Sequence, residues 1–142
     1  MSIKKTWFVR LALAFVTIYT LFPFINGVGC DFEHEFESKT YKLETECKLG
    51  ILIHQSEDKI SGEIKLKRMM WGFWGGYNYT LSLDSVVLKN PDVLNKRQSA
   101  LYDVHRLIVG YRYNVLDGIV WIYDKPVEVI YATEGDGVFG FW

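Results

Sequence analysis

A chain of 142 residues has room for one ordinary domain. Its aromatic share of 16%, with five Trp, nine Tyr and nine Phe, favours strands over helices. Lys4, Lys5 and Arg10 are the only charges in the first 29 residues, which leaves 13 basic against 17 acidic residues in 30–142. With one short basic set, Lys65, Lys67 and Arg68, that balance excludes a nucleic-acid-binding face, which needs clustered positive charge. The set itself reads as the solvated face of a strand.

Residues 1–29 read as a membrane anchor or signal segment, and residues 30–142 as an extracytoplasmic β-rich domain. Two lysines open the chain, and an apolar run from Leu11 to Ile25 follows, interrupted only by Thr17 and Thr20. The run suits a signal-peptide core; counted from Thr6, with Arg10 snorkelling to the headgroups, it reaches the ~20 residues of a spanning helix. Positive charge before the run and Asp31, Glu33, Glu35 and Glu37 after it place the N-terminus in the cytoplasm. Three fates fit: an uncleaved single-pass anchor in a bacterial inner membrane, cleavage after Gly27 and Gly29 with release to the periplasm, or lipidation of Cys30 in a degraded lipobox. Bulky Phe22, Pro23 and Phe24 ahead of the cleavage position favour the anchor.

Residues 30–37 and 41–49 each alternate with period two, and so read as strands with one wet face. The first buries even positions and the second odd ones, so opposed residues must sum to an odd number. A loop at Ser38 and Lys39 sets that sum at 77, pairing Phe36 with Tyr41, His34 with Leu43, Phe32 with Thr45, and Cys30 with Cys47. Opposed strand residues lie within disulfide reach. A Cys30–Cys47 bond is therefore expected, and with it an oxidising compartment; lipidation of Cys30 would exclude it.

Residues 51–55 read as the next strand and 56–59 as a polar turn. The alternation of Ile60, Gly62, Ile64 and Leu66 gives another strand. Trp71-Gly-Phe-Trp-Gly-Gly76 reads as a glycine-rich aromatic loop, and 77–88 as a strand. Asn90 and Pro91 suit a helix start, and Leu94, Leu101, Val104, Leu107 and Ile108 recur at helical spacing until Gly110. Residues 109–115 are strand-like, Asp117 and Gly118 suit a hairpin turn into 119–123, and 127–132 form the last strand. The fold class is mainly β: an N-terminal transmembrane or signal helix, then a small antiparallel, curled or partly closed β domain of seven or eight strands with one helix.

The chemistry-bearing motifs are few. Gly135-Asp-Gly-Val-Phe-Gly140 matches a dinucleotide-binding pattern in letters, but no helix follows to receive a pyrophosphate, and Asp136 would repel one. His34, His54 and His105 show no metal-ligand spacing, so no metal, cofactor or catalytic residue is expected and the chain is not read as an enzyme. The acidic comb at 31, 33, 35 and 37 reads as a solvated strand face. Asn78-Tyr-Thr80 is a glycosylation sequon. Trp71, Phe73, Trp74, Tyr77 and Tyr79, crowded into nine residues, are the candidate surface for a partner, a lipophilic ligand or the bilayer interface, with core packing as the alternative.

In its layout the chain resembles the FidL-like and ToxS-like small membrane proteins of enteric bacteria. The stretch Tyr79-Thr-Leu-Ser-Leu-Asp-Ser-Val-Val-Leu-Lys-Asn-Pro-Asp92 is similar in character to a strand-then-Pro/Asp segment of the FidL-like group. Cys47 departs from that group, whose second cysteine lies near the C-terminus. The resemblance implies a non-catalytic accessory protein whose periplasmic domain supports another inner-membrane protein, such as a membrane-bound transcriptional regulator. The alternative is an exported or lipid-anchored binding module for a small apolar molecule.

Overall fold

The computed structural model describes residues 3–90, 106–115, 118–125 and 129–142. The first element, α1 (Ile3–Gly27), is apolar all round, so nothing in its pattern selects one face to bury. The most apolar 18 residues within Thr6–Gly27 have a mean hydropathy of 1.9, and none of them is buried. At 1.5 Å per residue those 22 residues reach ~33 Å, enough for a hydrocarbon layer of ~30 Å. The hydroxyls of Thr17 and Thr20 are satisfied within the helix: Thr17 donates to the Leu13 carbonyl and Thr20 to that of Thr17, each at 2.9 Å.

Eight antiparallel strands follow: β1 (Asp31–Glu37), β2 (Tyr41–Lys48), β3 (Ile51–Asp58), β4 (Ile64–Trp74), β5 (Tyr77–Lys89), β6 (Leu107–Val115), β7 (Gly118–Lys125) and β8 (Val129–Val138). Each pairs with the next, and β8 pairs with β1, so the expected curled sheet is a closed barrel. Closure removes the two free edges of an open sheet. An eight-stranded barrel is just wide enough for side chains to fill. Phe32, Cys47, Leu52, Met69, Trp71, Ile119, Trp121 and Phe139 do so here.

The β1–β2 register differs from the expected one by two residues. Phe32 faces Cys47, His34 faces Thr45 and Phe36 faces Leu43, a sum of 79. Ser38 is the cause. Its backbone N–H donates to the Tyr41 carbonyl at 2.8 Å and its hydroxyl accepts from the Tyr41 N–H at 3.0 Å, so it extends the ladder and leaves Lys39 and Thr40 as the turn. A two-residue shift keeps every side chain on its expected face.

Other boundaries move for similar reasons. β3 runs through residues 56–58, and the turn falls later, where the Asp58 carboxylate accepts from the Ile60 and Ser61 N–H groups. The aromatic segment is not a loop. It is the top of the β4–β5 hairpin, turned by Gly75 and Gly76 at φ 59° and 83°, where both carry the positive φ of a tight hairpin turn. The helix expected from Asn90 lies mostly outside the described residues, but its end is overturned. Leu107, Ile108 and Gly110 belong to β6, where pairing of Ile108 with Thr80 turns a helical spacing into a strand. Asp117 lies outside the described residues, and Gly118 is the first residue of β7. β8 continues past 132 through Gly135 and Gly137, so the dinucleotide-like letters are strand. Lys67 is not on a solvated face; it is buried inside the barrel, whereas Arg68 points out to an ion pair with Asp84.

Candidate functional site

The Cys30–Cys47 disulfide is formed, with Cα atoms 5.8 Å apart. Cys30 sits just before β1 and reaches diagonally to Cys47, whose directly opposed residue is Phe32. The bond ties the segment that leaves α1 to the barrel wall, and the Gly50 N–H donates to the Cys30 sulfur at 3.4 Å. A bonded Cys30 has no sulfur to carry a lipid.

The end of α1 is built into the barrel. Asn26 is 0% exposed. Its Nδ2 donates to the Phe73 carbonyl at 2.6 Å and to the Trp142 carbonyl at 3.1 Å, while its Oδ1 accepts from the Trp142 N–H at 3.1 Å. Its backbone carbonyl accepts from the Phe141 N–H at 3.2 Å. One side chain thus joins the helix, β4 and the C-terminus. Gly27 and Gly29, the small residues of the cleavage reading, have a packing reason. A Cβ on Gly27 would lie 2.2 Å from the Trp71 carbonyl oxygen, and one on Gly29 would lie 2.7 Å from Phe141.

The five aromatic candidates divide along this junction. Trp71 is core: its indole N–H donates to the Phe139 carbonyl at 2.8 Å. Phe73 is half-buried, and Arg112 lies over it and over Phe139, 4.2 Å from the latter ring centre. Burial draws the Arg112 guanidinium below its ordinary value, and the ring faces offset part of that cost. Trp74 is exposed and packs edge-on against Phe22 of α1, centroids 4.7 Å apart. Tyr77 is exposed beside Tyr111. Trp74 and Tyr79, with Phe15, Ile18, Tyr19 and Phe22, line an apolar groove of about 510 Å³ between α1 and the hairpin.

The lumen offers far less room. Its residual cavity is about 30 Å³, bordered by His34, Thr45, His54, Trp71, Trp121 and Thr133 among others. That suits a water molecule, not a drug-sized ligand of several hundred Å³. His34 stacks on Phe139 at 5.6 Å, and His54 Nδ1 shares a hydrogen bond with the Thr45 hydroxyl at 3.0 Å. Among the described residues no group of three or more His, Cys, Asp or Glu comes together to hold a metal ion. Asn78 is also 0% exposed, which closes the sequon to a glycan in the folded chain.

Sequence reasoning missed two features. β5 outruns its neighbour: β6 pairs only with residues 77–81, while β4 pairs with β5 as far as Lys89. Among the described residues the overhang begins after Ser82, whose N–H still donates to the Arg106 carbonyl at 2.7 Å, and along it Leu83, Val86, Val87 and Leu88 are exposed, Leu88 by 57%. Consecutive apolar residues at 86–88 were the available signal, since a one-faced strand would alternate. The outer wall of β1 and β2 is the second. Glu33 opposes Glu46, and Glu35 opposes Glu44. Lys48 bridges the first pair, and Lys42 the second at 3.0 and 2.6 Å.

No protein-family model, no curated protein and no solved structure matches this chain.

Proposed function

We propose that this protein is a non-catalytic, membrane-tethered accessory protein of the bacterial inner membrane. In this reading α1 is retained as a single-pass anchor and the barrel stands in the periplasm, supporting a membrane-bound partner such as a transcriptional regulator. The observation that carries the reading is the β5 overhang. Past Ser82 this strand has exposed apolar residues and, among the described residues, no strand paired on its β6 side, which suits strand addition by another chain. The buried Asn26 junction supports retention, because cleavage before Cys30 would strip hydrogen-bonding partners from Phe73, Phe141 and Trp142. The disulfide favours an oxidising compartment, and the layout shared with FidL-like and ToxS-like proteins points the same way.

Co-purification from native membranes in mild detergent tests it, with Val86→Lys and Leu88→Lys as controls. The expected result is a single-span membrane protein that is retained by the parent and lost with both variants, while intact mass shows an uncleaved chain. Absence of any such partner at native expression, or equal retention by the variants, would reject it. The reading as a carrier of a small apolar molecule draws its support from the groove beside α1, not from the lumen.

A further inference from the structure

We infer that the helix-bearing end of the barrel is seated in the headgroup layer of the bilayer, with Leu49, Trp74, Phe141 and Trp142 as its lipid-facing rim. The inference rests on the tethered reading above and adds a second membrane contact to it.

Strand directions put the ends of β2, β4, β6 and β8 and the starts of β1, β3, β5 and β7 at the end where α1 enters. Apolar and aromatic side chains dominate there: Val28, Leu49, Trp74, Tyr77, Phe141 and Trp142 are all exposed, Leu49 by 80% and Trp142 by 60%, with Asp31 and Lys48 as the exposed charges beside them. The turns at the opposite end carry Lys39, Asp58, Lys59 and Glu63. The turns therefore differ between the two ends, largely apolar where α1 enters and largely charged at the other, while the exposed apolar residues of the far half lie mainly along the β5 overhang on the barrel wall.

Leu49 is the sharpest sign. It is the one non-glycine residue with positive φ, 51°, among the described residues. That conformation is sterically disfavoured for a leucine and suits glycine or asparagine. Water also disfavours an 80% exposed leucine. Neither backbone preference nor aqueous solvation accounts for Leu at this turn; a lipid surface does.

The depth follows from α1. Trp74 and Trp142 lie against Phe22, at 4.7 and 5.6 Å between centroids. Phe22 is about 7–8 Å along the axis from the end of the apolar span at Gly27. With that span in the hydrocarbon, the two indoles fall at its boundary with the headgroups, where Trp is enriched in membrane proteins. Interfacial apolar surfaces sit ~5–10 Å deep, which matches.

The test uses the full chain in vesicles of phosphatidylcholine brominated near the glycerol end of its acyl chains, which quench nearby indoles. In the parent, quenching of Trp7, compared with Trp7→Phe, reports whether α1 is inserted. In the Trp7→Phe protein, a residual quenched fraction that is lost on adding Trp74→Phe and Trp142→Phe supports the seat, because Trp71 and Trp121 are core. Leu49→Trp placed in that indole-depleted background restores quenching. Quenching of Trp7 alone, with Trp74, Trp142 and the Leu49→Trp reporter all unquenched, overturns the seat and leaves the anchor standing. An unquenched Trp7 overturns the anchor, and the seat with it.

Discussion

Asn26 and Trp142 stand 116 residues apart in sequence and are joined by two reciprocal hydrogen bonds, each 3.1 Å long. One amide side chain, fully buried, reads the backbone of the last residue as a neighbouring strand would. The consequence is mechanical: a helix long enough to cross a bilayer ends in a fixed relation to the barrel and to the C-terminus.

Replacing Asn26 by Ala removes the partners of the Phe73 carbonyl and of both Trp142 backbone groups. Each net hydrogen bond contributes about 1 kcal/mol and each stranded buried group costs more. The expected loss is about 2–4 kcal/mol, or roughly 6–12 °C in thermal midpoint for a domain of this size. Thermal unfolding of the detergent-solubilised protein measures it. A midpoint within a degree or two of the parent would mean that the junction is not formed.

Much of this architecture is legible in the residues. Period-two alternation marks β1, β2 and the hairpin strands, and the parity of buried positions fixes which residues can oppose, so the disulfide follows even though the register is two residues off. Parity leaves the turn free to slide by two residues, and Ser38 decides it: its hydroxyl caps the turn from inside the ladder. What alternation cannot reveal is the order of strands around a barrel. Trp71 and Trp74 look alike in sequence. Only the closure that brings Phe139 to one and Phe22 to the other separates core from surface. Gly27 and Gly29 likewise carry one sequence signal, small residues after an apolar run, that serves both a protease and close packing.

The disulfide closes a loop with a sequence separation of 17, for which the chain-entropy model gives about 3 kcal/mol. The double variant Cys30→Ala/Cys47→Ala should lose about that much stability and still fold. Cys47 is fully buried, so alkylation of the native protein should need both reductant and denaturant. Two thiols alkylated without reductant would contradict the bond and the oxidising compartment together.

Charge on the β1–β2 wall should be visible in salt dependence. Lys42 lies between Glu35 and Glu44, and their hydrogen bonds push its ammonium well above the usual lysine value. Lys42→Gln leaves two directly opposed carboxylates unscreened. The thermal midpoint should fall at low ionic strength, recover in high salt, and recover in Lys42→Gln/Glu44→Gln. Acid should act elsewhere on the barrel. Hydrogen bonds from Lys59 hold the Glu37 carboxyl below its ordinary 4.5, and those from Arg68 hold Asp84 below its 3.8. Lowered folded values mean stability that is present above those ordinary values and lost as pH falls through the folded ones. Both pairs are exposed, so this acid-induced loss should shrink in salt; a loss insensitive to salt would assign it to buried groups instead.

Trp71 and Trp74 provide the sharpest contrast within the aromatic segment. Trp71 packs against Phe32 and Trp121 at 5.1 and 5.8 Å and donates to the Phe139 carbonyl. Trp71→Phe strands that carbonyl and leaves space in a filled lumen, so a loss of about 2–4 kcal/mol is expected. Trp74→Phe keeps a ring against Phe22 on an exposed rim, and in detergent it should change the midpoint by no more than a degree or two. The two substitutions remove the same atoms from residues three apart on one strand. A similar cost at both sites would mean that the hairpin top is uniformly core, and would leave Trp74 no free face for lipid or partner.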